Sequence, residues 1–184
     1  MEFKKINKIQ QGKFITRYDI EYIKTDGKEK TYEMISRNPH MHTLADLNNP
    51  EPDSVILILT NQEGKILINK EYRMAMGQWI YNFPAGLIDP GETPQQAAKR
   101  ELKEETGLDL ITIDDILFDS YSAVGFSNEK NIVIVGTAEG TFHESTSTSE
   151  EIEAKWYTKK EVRQLLKSQY FAARTQAYCY LWAK

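Results

Sequence analysis

GLIDPGETPQQAAKRELKEETGL, residues 86–108, contains a helix with both of its ends marked. Thr93 is placed to be the N-cap, Pro94 fits the first helical position, and Gln96 completes a capping box. Gly107 sits where a left-handed residue closes a helix. Within the helix, Glu101 and Glu105 are four residues apart and Glu104 is three from Glu101, so all three acids project from one face. Ala98 and Leu102 lie on the neighbouring side, suited to packing on a sheet, and Ala97 is small beside the acids. Three like charges on one face destabilise a helix unless something offsets them. Two readings meet that need. One is a solvated face with Lys99, Arg100 and Lys103 as partners. The other is a site for hard divalent cations, since carboxylate oxygens suit magnesium or manganese.

Outward from this segment the pattern alternates between strands and punctuation. On its N-terminal side, residues 55–60 and 65–70 flank Asn61-Gln62-Glu63-Gly64 as a hairpin, and 78–83 read as a third strand. On its C-terminal side, strands are expected near 110–120, 131–138 and 152–157. Thr158 to Glu161 is a second capping box opening a helix to about Lys167, and 170–183 read as a last helix with Cys179 as a small core residue. Nearer the N-terminus, residues 13–23 alternate as a strand should. Asp26-Gly27 marks a turn, and 30–37 form the return strand. The Asn- and Pro-rich stretch 38–53 reads as a linker. The expected class is therefore α+β. It comprises an N-terminal antiparallel unit over residues 1–50 and a main domain over 51–184.

Composition narrows the function. The 184 residues are 40% hydrophobic and 27% charged, with a net charge of −4, as in an ordinary folded protein of one domain plus an appendage. No run approaches the roughly 18 apolar residues of a membrane span. The start, Met-Glu-Phe-Lys-Lys-Ile, has no apolar segment behind it, unlike a signal peptide. With Cys179 as the lone cysteine, a cytoplasmic location is expected. There is no basic stripe, so neither nucleic acid nor membrane is an expected partner. An acidic chain can still take an anionic substrate when metal ions stand between them.

Residues 86–108 also match the Nudix signature, G-x5-E-x7-R-E-U-x-E-E-x-G-U with U aliphatic. The constrained positions are Gly86, Glu92, Arg100, Glu101, Leu102, Glu104, Glu105, Gly107 and Leu108. The resemblance implies an α/β/α sandwich with a mixed sheet and a metal-dependent hydrolase of diphosphate linkages, using Mg2+ or Mn2+. It implies that Glu101 and Glu105 bind metal and that Glu104 binds metal or assists. Arg100 and Glu92 would orient the others by ion pairing. Gly86 and Gly107 would permit the turns at either end, consistent with glycine's tolerance of positive φ.

Beyond the box the chain resembles the branch that hydrolyses ADP-ribose and other nucleoside diphosphate sugars. The features are the N-terminal strands, Glu71-Tyr72-Arg73, and Phe83-Pro84-Ala85-Gly86 leading into the box. In that branch the carbonyl at Ala85 is a metal ligand, and the Arg at Arg73 contacts substrate; a surface ion pair is the plainer account of Arg73. The chain departs from the branch at Asn82, where a Glu is usual, and at Val124, where a Pro is usual, while Gly125 and Glu129 match and are, by the resemblance, expected with Arg73 to bind substrate. The branch keeps its general base on a loop before a late strand. Here that loop is 144–153, and Glu150, then Glu151, are the candidates, with Glu104 next; a solvated acidic loop is the alternative. His40 and His42 form a His-x-His pair without a third ligand. A homodimer built through residues 1–50 is expected, because the unit carries more apolar side chains than a lone ribbon should expose. The alternatives for function are a nucleoside triphosphate pyrophosphohydrolase and a non-catalytic nucleotide-sensing domain.

Overall fold

Strand β4, Ser54–Thr60, reads Ser-Val-Ile-Leu-Ile-Leu-Thr and is buried at every position from Ser54 to Leu59. A strand without polar alternation needs cover on both faces, and it has it. Val55, Leu57 and Leu59 enter one core with Ala97, Ala98 and Leu102 of helix α1, Pro94–Thr106. Ile56 and Ile58 enter a second core with Val162 of α2, Lys159–Leu165, and Cys179 of α3, Ala173–Trp182. The period of two along one strand thus sorts its side chains between two helical layers. The result is an α/β/α sandwich with α1 on one face. Leu102 is fully buried; cutting it to Ala would cost about 2–5 kcal/mol.

The structure, a computed structural model, describes residues 1–146 and 150–184. Of the Ser-Thr-Ser-Thr-Ser run in the late loop, Ser147 to Ser149 lie outside the described residues. The remaining strands of the mixed sheet are β5 (Ile66–Arg73), β6 (Gln78–Asn82), β7 (Ala85–Leu87), β8 (Asp109–Tyr121), β9 (Lys130–Glu139) and β10 (Ile152–Tyr157). Their order is β10-β5-β4-β9-β8, with β6 paired to β5 and β7 to β4. Both anticipated capping boxes form, Thr93 with Gln96 and Thr158 with Glu161. Among the described residues no helix is long and apolar enough to cross a membrane.

The chain divides into two units. One comprises Ser54–Phe118 and Ile132–Lys184; the other comprises Met1–Asp53 and Asp119–Asn131. The latter holds a three-stranded antiparallel sheet, β1 (Glu2–Gln11), β2 (Thr16–Ile23) and β3 (Glu29–Ser36). Its β2 alternates as expected, with Thr16, Tyr18 and Ile20 buried. Strand β1 was not expected from the sequence, and the reason is visible in its register. Irregularities fall between Phe3 and Lys5 and between Lys8 and Gln10. An extra residue at such a bulge lets Phe3 and Ile6, three apart, pack on the same core, which erases the period of two.

Two further expectations are corrected here. The stretch 38–53 is not a bare linker: Met41 is 1% exposed, and a 3-10 turn spans Leu44–Leu47. Tyr18 donates its hydroxyl to the Asn38 carbonyl. The apolar side chains of β2 are not left uncovered either, since Tyr18 and Ile20 share a core with Met34 and Met41. Phe14 and Ile15, ahead of β2, remain exposed.

Candidate active site

The acidic face of α1 is organised by one arginine. Arg100 donates from Nε to Glu92 Oε1 at 2.8 Å and from Nη2 to Glu92 Oε2 at 2.9 Å. It also donates from Nη1 to Glu101 Oε1 at 2.8 Å and Glu104 Oε2 at 3.2 Å, and from Nη2 to the Leu87 carbonyl at 2.9 Å. A guanidinium has five N–H donors in a fixed fork, and these five acceptors use them all. Lysine could not reproduce this set. The fork holds the Glu92 carboxyl down at about 2, and the Asp89 amide adds to the effect. The ion-pairing role expected of Arg100 and Glu92 has this geometry behind it.

Glu105 is held differently. It is 5% exposed, and its Oε2 accepts from Asn69 Nδ2 at 2.8 Å. Burial first, then the charges of Glu101, Glu71 and Glu150, push its carboxyl well above the usual range. Asn69 is itself fully buried, and its Oδ1 has no hydrogen-bond partner among the described residues. Glu101 is also pushed up, chiefly by burial, against the opposing pull of Arg100. A buried carboxylate facing three others is costly unless positive charge is brought to it. Among the described residues no three His, Cys, Asp or Glu side chains converge as a ready-made metal cluster, since Arg100 draws Glu101 and Glu104 while Asn69 draws Glu105.

The two box glycines serve different purposes. Gly107 has φ +82° and closes α1 in the left-handed conformation, as expected. It also makes room, because a Cβ there would stand 2.5 Å from the His143 ring and 2.8 Å from the Thr141 carbonyl. Gly86 corrects the sequence reading. Its φ is not positive; it lies in β7, opposite Val55. Its requirement is steric, since a Cβ there would stand 1.9 Å from the carboxyl carbon of Glu101. The preceding Ala85 pairs with Ile56 in the same short ladder.

The late loop is tied to this site at both described ends. The Thr146 amide donates to the Glu104 carbonyl at 3.0 Å, and the Tyr72 amide donates to the Glu151 carbonyl at 3.0 Å. Glu151 is thereby fixed at the mouth of the β5–β10 ladder. Exposed Glu150 lies close enough to Glu101 and Glu105 to raise both. Arg73 is paired, through Nε, with Glu71 Oε1 at 2.8 Å. The ion pair that sequence reasoning offered as the plainer account of Arg73 is therefore present, with the arginine partly exposed and the acid 6% exposed. Asn82, a departure from the resembling branch, donates to Glu71 at 2.9 Å, so the carboxylate on this face comes from β5 instead. Gly125 and Glu129 belong to the other unit. There the Gly125 carbonyl accepts from Tyr32, and Glu129 accepts from Arg37 Nε at 2.7 Å and Ser122 Oγ at 2.9 Å. His40 and His42 are exposed, and their amides bond to Asn38 and Asp46.

Sequence reasoning missed Asn69, Glu71 and Thr175 as site residues. Asn69 follows the apolar run 66–68, but Glu71 stands among Lys70, Tyr72 and Arg73 and Thr175 between Arg174 and Gln176, so neither of these two carries a local signal of burial.

The comparisons follow this geometry. A solved structure described as an ADP compounds hydrolase superposes with a TM-score of 0.71 at 18% identity, covering 99% of this chain and 92% of that one. An ADP-sugar pyrophosphatase of Mus musculus is 34% identical over 99 residues, 54% of this chain and 44% of the mouse protein. An ADP-ribose pyrophosphatase of Bacillus subtilis (strain 168) is 36% identical over 78 residues, 42% of each chain. The matched part of the chain spans less than half the length of these two relatives. The profile of the NUDIX domain matches residues 50–178, well over half of the sequence and all of the box, and the chain belongs to the Nudix family.

Proposed function

We propose that the protein hydrolyses the diphosphate linkage of ADP-ribose or another nucleoside diphosphate sugar by water attack on phosphorus, with Mg2+ or Mn2+ as cofactor. The observation that carries this reading is Glu105, a carboxylate 5% exposed, facing Glu101, Glu71 and Glu150 with one amide as its partner. Such a group is built to receive a cation. Glu101, Glu105 and Glu104, with the Ala85 carbonyl, are an all-oxygen set suited to a hard divalent ion. The close approach of Glu101 to Gly86 and the unpaired Oδ1 of Asn69 fit the same reading. A bound ion of this kind neutralises phosphate charge and lowers the pKa of water.

The chain's own groups supply the rest. Arg100 fixes the rotamers of Glu101 and Glu104 against Glu92. Glu150, on the loop tied to Glu104 and Tyr72, takes the proton of the attacking water, with Glu151 as the alternative base. Arg73, with Nε committed to Glu71, turns its remaining donors to an anionic group of the substrate. The ADP-directed names of the mouse and Bacillus relatives favour an ADP-containing substrate.

The proposal extends to a cytoplasmic homodimer formed through residues 1–50, supported by exposed Phe14 and Ile15. A light-scattering mass near 21.3 kDa would rule the dimer out. Product analysis over nucleoside diphosphate sugars, dinucleotides and nucleoside triphosphates, with each metal, tests the chemistry. Release of a nucleoside monophosphate from a diphosphate sugar is expected. Pyrophosphate release from triphosphates alone, or tight binding without turnover, would overturn it.

A further inference from the structure

Arg73 stands at one end of a buried chain of hydrogen bonds whose direction is forced along its whole length. The Phe83 amide can only donate, and it donates to Thr175 Oγ1 at 3.2 Å. The Thr175 hydroxyl accepts that bond and gives its own proton to Asn82 Oδ1, at 2.9 Å. With its oxygen so used, Asn82 presents Nδ2, which donates to Glu71 Oε1 at 2.9 Å. The same oxygen accepts Arg73 Nε at 2.8 Å. An amide can be flipped only if its partners permit it, and here the Glu71 carboxylate paired with the guanidinium accepts only, so Asn82 must turn Nδ2 to it and Oδ1 to the Thr175 hydroxyl. Thr175 is fully buried, Asn82 is 2% exposed and Glu71 6%, so water does not compete. The Arg73 side chain, 42% exposed, is where the chain reaches the surface.

The helix that carries Thr175 is anchored at the same place. Just before α3, the Ala172 amide donates to the Tyr81 carbonyl at 3.0 Å, and the Tyr81 amide donates to the Tyr170 carbonyl at 2.8 Å. Residue 171 thus bridges to β6 one position before Asn82. Helix α3, on the sheet face opposite α1, is therefore tied to the site through one hydroxyl.

We propose that Glu71, held by Asn82 and Thr175, is a positioning residue that aims the Arg73 guanidinium at an anionic group of the substrate, which makes Thr175 of α3 a remote determinant of substrate affinity. This rests on the reading of the site as one for a nucleoside diphosphate. Among the described residues Arg73 commits only Nε, and its two terminal nitrogens, four N–H donors in a planar fork, are left for a bidentate anion. Glu71 fixes the plane of that fork at its near edge. Without it the side chain regains its rotamers, and each substrate must immobilise them anew.

The test uses Glu71→Gln and Thr175→Val, with Thr175→Ser as the conservative variant, in the full chain. The readout that needs no substrate is hydrogen exchange of the Arg73 Nε–H resonance by 15N NMR. Exchange should quicken at least tenfold in Glu71→Gln and severalfold in Thr175→Val, and return to the wild-type rate in Thr175→Ser. The kinetic readout is the split between KM and kcat. KM should rise about tenfold in Glu71→Gln and severalfold in Thr175→Val, in each case by more than kcat falls. Adding Glu71→Gln to Arg73→Ala should produce no further rise. Unchanged exchange in both Glu71→Gln and Thr175→Val, or KM effects that add to those of Arg73→Ala, would overturn the proposal. If exchange responds as expected while wild-type protein turns over no diphosphate sugar, the positioning stands and the substrate reading falls.

Discussion

The carboxyl group of Glu101 occupies the space in which a side chain at residue 86 would lie: a methyl group on Gly86 would stand 1.9 Å from Glu101 Cδ and 2.1 and 2.3 Å from its oxygens. The glycine and the glutamate are therefore one feature of the site. Gly86→Ala must either displace Glu101 from its bond with Arg100 or pull β7 off β4. The expected result is a loss of at least a hundredfold in kcat/KM, with weaker Mn2+ binding by titration. Gly27→Ala is the control, because a Cβ there meets nothing within 4 Å; it should cost only the strain of positive φ, on the order of 1 kcal/mol. Normal Mn2+ affinity in Gly86→Ala would show that Glu101 is not a ligand in this position.

Arg100→Lys keeps the charge and loses the fork. One ammonium cannot serve Glu92, Glu101, Glu104 and the Leu87 carbonyl together. The acids should drift apart under their mutual repulsion. A fall of tenfold to a hundredfold in kcat is expected, with circular dichroism unchanged. Activity within a factor of two of wild type would remove Arg100 from any organising role.

Glu105→Gln preserves shape and the bond to Asn69 Nδ2 while removing the buried charge. Losing a metal-binding charge should cost several kcal/mol of transition-state stabilisation, about a thousandfold in rate. The metal-free protein should melt no lower than wild type, because a neutral amide costs less to bury than a carboxylate without a cation. The rise in Tm that Mg2+ gives the wild type should vanish. More than about half the wild-type rate at saturating metal would remove Glu105 from the metal site.

Much of this was legible in advance because it is local. Thr93 and Gln96 lie three residues apart, and the box they open follows from sequence spacing alone; so does the common face of Glu101, Glu104 and Glu105. The strand at 55–60 was also legible, though its burial on both faces shows only in the fold. What could not be read depends on partners distant in sequence. The steric need for Gly86 exists only because α1 folds back on β7. Glu71 finds its buried partner only because β6 brings Asn82 beside it, and Asn82 is held in turn by Thr175 of α3. Strand β1 was hidden because a bulge breaks the alternation that reveals a strand.

Glu161 gives a pH signature away from the site. Its carboxyl is held at about 2, chiefly by the Thr158 amide and hydroxyl, with help from Lys155. A folded value below the unfolded one of about 4.3 means that the ionised form favours the fold. The stabilisation is complete above the unfolded value and is lost as pH falls through about 2. Glu161 is exposed, so the effect is modest. Thr158→Ala should lower stability by about 1 kcal/mol near neutrality, and the gap from wild type should narrow in acid. Urea titrations at several pH values measure it; a gap that widens in acid would contradict this sign.

Between the two proposed bases, Glu150 and Glu151, the difference lies in how each is held. Glu151 has its carbonyl bonded to the Tyr72 amide, and strand β10 begins at the next residue, so its side chain follows the direction set by the sheet. Glu150 precedes that constraint, and its charge reaches both Glu101 and Glu105. A base must come within hydrogen-bond reach of the water it deprotonates, and under the proposed mechanism that water would lie beside Glu101 and Glu105. Glu150→Gln should therefore lower kcat by a hundredfold to ten-thousandfold while leaving Mn2+ affinity within a factor of three. Glu151→Gln should change kcat less than fivefold. The pH profile separates a base from a ligand: the acidic limb of kcat should flatten in Glu150→Gln and persist in Glu151→Gln. The reverse pattern would assign the base to Glu151, and normal turnover in both would return the role to Glu104, which already carries the loop through its carbonyl bond to Thr146.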